Sequence, residues 1–163
     1  MTAATSAPGD TTLATVSGDV QTLSQWVTTF HLVVVVVDPY TDESAWLLET
    51  AARVLAEFRG ADCRVGWLVT ADAKDARAFL GPLADQFLTL VDPDRALVKS
   101  LDLRHLPALV HIRQDLSVAG VAEGWNPPEW QAVTDQLGTL MSWSKPLLPA
   151  VGDPSPFAGS PAL

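Results

Sequence analysis

The chain has 163 residues, 48% of them apolar, and carries 10 basic against 19 acidic residues for a formal net charge of −9. That length fits one ordinary domain, and the apolar content is the opposite of the low-hydrophobicity signature of disorder. The ten basic residues are scattered without a cluster or stripe, which argues against a nucleic-acid partner or an anionic membrane surface, since either would meet a face that repels phosphate.

Residues 1–10 (MTAATSAPGD) carry neither a basic region nor an apolar signal segment, which gives the expectation of a cytoplasmic location. Their composition predicts a flexible N-terminal tail, with the folded domain over 11–144. Over 19–30, Leu23, Trp26, Val27 and Phe30 recur at i, i+3, i+4 and i+7, which predicts a helix. LVVVVV at 32–37 is a β-branched run of the kind found in a central strand covered on both faces. It is far short of the roughly 20 apolar residues of a membrane span. A helix is predicted over 44–58, with Leu47, Leu48, Ala51, Leu55 and Phe58 along one side, and Gly60 ends it.

RVGWLVT at 64–70 reads as a second buried strand. A shorter helical pattern carries Ala76, Phe79, Leu80 and Leu83, and FLTLV at 87–91 supplies a third strand. Asp92-Pro93-Asp94 turns the chain into a helical segment with Leu97, Val98 and Leu101. ALVHI (108–112) and SVAGVAEG (117–124) are close enough to form a hairpin. The last helix has the clearest start signal: Asn126 caps it, Pro127 fits the first helical position, and Glu129 completes a capping box. Residues 145–163 hold five prolines and form a Pro-rich C-terminal tail, either a disordered end or an extended segment that docks on a partner or on its own domain.

Cys63 is the only cysteine, so an internal disulfide and a CxxC motif are both impossible. It sits at the start of the second strand, where a small buried core thiol is expected. Asp38, Asp42 and Glu43 lie near the exit of the first strand, where α/β folds place ligands; helix-start chemistry, with Thr41 or Asp42 as cap, accounts for them without a metal or acid/base role. His31, His105 and His111 are too far apart in sequence to form a metal set of known spacing. No phosphate loop and no G-x-S-x-G elbow is present.

The order strand, helix, strand, helix, strand, helix, hairpin, helix resembles the thioredoxin-like superfamily, and in particular its redoxin branch. LVDPDRALVKSLDLRHLPALVHIRQD is the most specific part, similar to the superfamily's run of strand, Asp-Pro turn, short helix and a proline just before the hairpin. The resemblance implies an α/β three-layer sandwich, with a central mixed sheet ending in an antiparallel C-terminal hairpin and flanked by helices. It also implies a cis Leu106-Pro107 bond facing the active-site end.

It places Asp42-Glu43-Ser44-Ala45, just ahead of Trp46, where a thioredoxin carries its CxxC, and no residue there can form a thiolate. The Asp38–Thr41 loop also lacks the cysteine that redoxin peroxidases need. A weaker resemblance, carried by Asp38-Pro39 and Asn126-Pro127, is to the thioredoxin-like chaperones of hydrogenase maturation, which also lack a cysteine pair. The implied function is a redox-inactive protein-binding, chaperone or assembly module without cofactor, metal or catalytic residue. Its degenerate groove would be lined by Pro39, Tyr40, Asp42, Glu43, Trp46, His105, Leu106, Pro107 and Trp125. Two alternatives stand beside it: a redoxin-type thiol oxidoreductase or peroxidase using Cys63 with an external thiol, and an accessory subunit of a larger enzyme complex.

Overall fold

A computed structural model describes residues 4–163. The β-branched run forms the central strand β3 (His31–Val37), buried from Leu32 onward. It pairs in parallel with β4 (Cys63–Val69), which pairs in parallel with β5 (Leu88–Val91). On its other side β3 pairs antiparallel with β7 (Ala108–Ile112), and β7 pairs antiparallel with β8 (Val118–Glu123). With β1 (Thr12–Thr15) and β2 (Val20–Thr22) beyond β5, the sheet order is β2-β1-β5-β4-β3-β7-β8.

Alternation along β3 divides the core into two layers, as the period of two requires. Val33, Val35 and Val37 face a layer built from α3 (Leu48–Glu57), α4 (Ala73–Leu80), α5 (Leu83–Gln86) and α7 (Pro127–Met141). Leu32, Val34 and Val36 face α1 (Leu23–Trp26) and α6 (Ala96–Ser100). This is the expected three-layer sandwich with its antiparallel hairpin. Among the described residues, no helix is long and apolar enough to cross a membrane.

Several elements differ from expectation. The helix expected over 19–30 is a single turn, α1, preceded by the hairpin β1–β2. Thr22 closes a capping box with Gln25, so the helix can begin only there, while Val20 and Gln21 are held in the ladder with β1. The helix expected over 44–58 starts earlier and in two pieces, α2 (Asp42–Trp46) and then α3. The pattern through 73–86 also divides, because Pro82 has no amide to continue the ladder.

Of the two alternatives for the C-terminal segment, the structure has the one that docks on its own domain; of the N-terminal tail expected over 1–10, residues 1–3 lie outside the described residues. Ala7 is buried, and the amide of Val118 donates to the carbonyl of Thr5. Residues 145–163 touch the domain at several points: Leu148 joins the helical core layer, Asp153 pairs with Arg53 at 2.7 Å, and β9 (Ser160–Pro161) pairs antiparallel with β6 (His105–Leu106). Composition pointed to a flexible end because alanine, glycine, serine and proline carry no hydrophobic period. The docking is made largely by main-chain groups, which composition does not report.

Candidate functional site

Strand β3 ends at Val37 and delivers Asp38, which is 3% exposed, to the mouth of α2. Its amide donates to Ser44 Oγ at 2.9 Å, and one carboxylate oxygen accepts from the Tyr40 amide. The other is paired with Arg95 at 2.7 Å. Arg95 reaches it from a left-handed backbone conformation (φ 58°), uncommon for a residue other than glycine. Asp38 is therefore committed to an ion pair and does not combine with Asp42 and Glu43. Those two stand in the first turn of α2, where acidic side chains favour the positive helix end.

Thr41 is the N-cap of α2, but its hydroxyl does not cap the helix; it donates to the Asp38 carbonyl at 3.1 Å and lies 3.5 Å from Ser44 Oγ. The two side chains that face each other one turn apart at this helix mouth are thus Thr41 and Ser44. Both carry hydroxyls, and Ser44 is fully buried.

Leu106-Pro107 is cis, as the resemblance implied, and Pro107 accepts the Gly124 amide at 2.8 Å. Leu106 is buried; His105 is exposed, and its amide donates to Glu123 Oε1. The C-terminal segment crosses directly in front. Ser160 Oγ lies 3.3 Å from both the Leu106 carbonyl and Thr41 Oγ, and Arg95 donates its second nitrogen to the Ala162 carbonyl.

The expected groove residues therefore separate into two groups. Tyr40 and Trp46 are 66% and 58% exposed; Tyr40 donates its hydroxyl to Asp75, and Trp46 meets Phe157 edge-to-face at 5.5 Å. Leu106 and Trp125 are fully buried; Trp125 donates Nε1 to the Pro154 carbonyl and packs edge-to-face on Trp130. A continuous exposed apolar patch of Tyr40, Trp46, Leu106 and Trp125 is not present, because the C-terminal segment covers its centre. Sequence reasoning missed Arg95, Ser160, Gly124 and Gly159. Only the Asp92-Pro93-Asp94 turn ahead of Arg95 gave a signal.

Cys63 is at the opposite end of the sheet. Its register partner on β3 is His31, whereas Val69 is level with Val37. At roughly 3.3 Å per residue, the length of β4 puts Cys63 about 20 Å from the helix mouth. Its thiol faces the Phe58 carbonyl at 3.7 Å, and burial, reinforced by Asp62, pushes its pKa up to about 11. Among the described residues, no three His, Cys, Asp or Glu side chains converge as a metal set.

No protein-family model matches the chain, and no curated protein matches it either. Solved structures do. A protein from Chlorobium tepidum named for thiol:disulfide interchange (DsbE) superposes with TM-score 0.69 at 18% identity, over 86% of this chain and 99% of its own. The fold is thioredoxin-like. Xanthomonas campestris peroxiredoxin Q matches with TM-score 0.66 at 16% identity, over 86% of this chain and 97% of its own. A hypothetical protein from Sinorhizobium meliloti 1021 reaches TM-score 0.70 at 15% identity, over 99% of this chain and 94% of its own. The thioredoxin-like fold thus brings the cis-proline loop, the helix mouth and the start of α7 to one end of the sheet, where the helix mouth carries the hydroxyls of Thr41 and Ser44.

Proposed function

We propose that this thioredoxin-like chain is a redox-inactive protein-binding module that engages an extended polypeptide at the groove between the cis-proline loop and the start of α7. One observation carries the reading: the helix mouth holds Thr41 and Ser44 in place of a thiol pair, and the sole sulfhydryl lies at the far end of the sheet. A thiolate is the nucleophile in disulfide exchange, and a thiol held near pKa 11 is almost entirely protonated at neutral pH. The groove nevertheless retains strand-pairing capacity at His105–Leu106, which the C-terminal segment uses.

The names of the solved relatives favour a second reading, a thiol oxidoreductase or peroxidase that uses Cys63 with an external thiol. Insulin-disulfide reduction and peroxide consumption, measured on the purified chain beside a Cys63→Ser variant, separate the two. The binding-module reading expects both proteins to stay at the blank rate. Turnover by the parent chain that disappears with Cys63→Ser would establish the second reading in its place.

A further inference from the structure

The segment 157–162 is gripped on both edges by separate elements of the domain. On one side the Phe157 amide and carbonyl exchange hydrogen bonds with Trp125 at 3.0 and 2.8 Å. On the other, the Ala162 amide donates to the Arg104 carbonyl at 2.8 Å, and Ser160 pairs with Leu106. These contacts are to backbone, so they select an extended chain rather than a particular side chain.

Selection comes from how closely the backbones approach. A Cβ on Gly159 (φ +90°) would stand 2.6 Å from the Leu106 carbonyl oxygen, and one on Gly124 (φ +64°) 2.4 Å from that of Ala158. Both positions combine a left-handed conformation with contact that leaves no room for a side chain. Beyond Gly159, side chains alternate as in a strand: Ser160 and Ala162 point inward and are 4% and 1% exposed, while Pro161 and Leu163 face outward. The Ser160 site is closed by the Thr41 hydroxyl, the Ala162 side chain enters the apolar layer that holds Leu97 and Leu106, and the Arg95 guanidinium holds the Ala162 carbonyl. Anything longer than serine at position 160 would meet Thr41.

We infer that residues 157–162 are a built-in ligand. The groove recognises an extended polypeptide with a Gly–small–x–small run, as in Gly159-Ser160-Pro161-Ala162, and this chain's own segment competes for it against a partner presenting the same pattern. The inference rests on the reading of the groove as a binding site and adds what the site selects and what holds it closed. A tethered ligand acts at roughly millimolar effective concentration, so a partner is masked by the ratio of that concentration to the segment's intrinsic Kd, about 100-fold for a Kd of about 10 μM.

The test uses the full chain and a fluorescein-labelled peptide of the sequence 155–163. Gly159→Val should eject the segment, seen as faster amide exchange at 157–162, and should tighten binding of the added peptide at least tenfold relative to the parent chain. A peptide with valine at the position of Gly159 should not bind the same variant; this control alters only the ligand and carries no risk to folding. The inference is overturned by unchanged exchange at 157–162 in Gly159→Val, by equal or absent binding of the peptide to parent and variant, or by equal binding of the two peptides. Insulin reduction measured on the same samples keeps the underlying reading separate: turnover that appears when the groove opens and depends on Cys63 would defeat that reading, whereas failed peptide binding without turnover defeats only the inference.

Discussion

The buried histidine on β7 makes stability depend on pH in a way that can be worked out from its surroundings. His111 is fully buried; its Nε2 lies 2.9 Å from His31 Nδ1, and among the described residues its Nδ1 has no hydrogen-bond partner. Burial, then the neighbouring His31 ring, then Arg113 lower its pKa from 6.5 to about 4. The unfolded chain therefore takes up a proton that the folded chain refuses, so the stability present above pH 6.5 is lost as pH falls toward 4. At 1.36 kcal/mol per pH unit, the loss is about 1.4 kcal/mol at pH 5.5 and about 3 kcal/mol at pH 4. The assay is urea unfolding followed by tryptophan fluorescence at pH 7.5, 5.5 and 4 for the parent chain and His111→Val. The parent should lose about 3 kcal/mol more than the variant across that range, which cancels the titration of carboxylates common to both. Parallel losses within about 0.5 kcal/mol would refute the reasoning.

Two further outcomes concern the site and a third the distant thiol. Arg95→Leu leaves the Asp38 carboxylate buried without its cation and should cost about 3 kcal/mol; amide exchange at 157–162 should quicken in the same variant, because the Ala162 carbonyl also loses its donor. Ser44→Ala removes the side-chain acceptor of the buried Asp38 amide and should cost about 1–3 kcal/mol in the same urea assay, with Thr41→Val milder. Cys63 in the native chain should react with Ellman's reagent at pH 8 about 100-fold slower than an ordinary exposed thiol, given its burial and a pKa pushed up to about 11. It should react at the ordinary rate in 6–8 M urea; rapid native labelling would contradict its placement.

What was legible in the sequence was local. LVVVVV became β3 because a continuous β-branched run has few alternatives, and Asn126-Pro127 announced α7 because a cap and a proline act within one turn. The hairpin β1–β2 was missed because it is stabilised by pairing with β5, seventy-odd residues away in the chain. The spacing of Leu23, Trp26 and Val27 reported the correct buried face, but one turn of helix suffices to present it. At the site, the cis Leu106-Pro107 bond and the lack of sulfur at the helix mouth were readable. The hold of Arg95 on both Asp38 and Ala162 was not, because it joins residues 57 and 67 positions apart. Nor was the seat of the C-terminal segment, whose Ala-Gly-Ser-Pro run looks featureless until another backbone lies against it.

The proposed loss of redox chemistry places the hydroxyls of Thr41 and Ser44 where a thiol pair would act at the mouth of α2. Installing the sulfurs tests this most directly: Thr41→Cys/Ser44→Cys and Asp42→Cys/Ala45→Cys, each in a Cys63→Ser, Gly159→Val background, are oxidised and then assayed for the 2 Da mass loss of a disulfide and for insulin reduction. The 41/44 pair should close and turn over while the 42/45 pair and the cysteine-free parent do not. A 42/45 pair that closes in preference, or a cysteine-free parent that reduces insulin unaided, would contradict it.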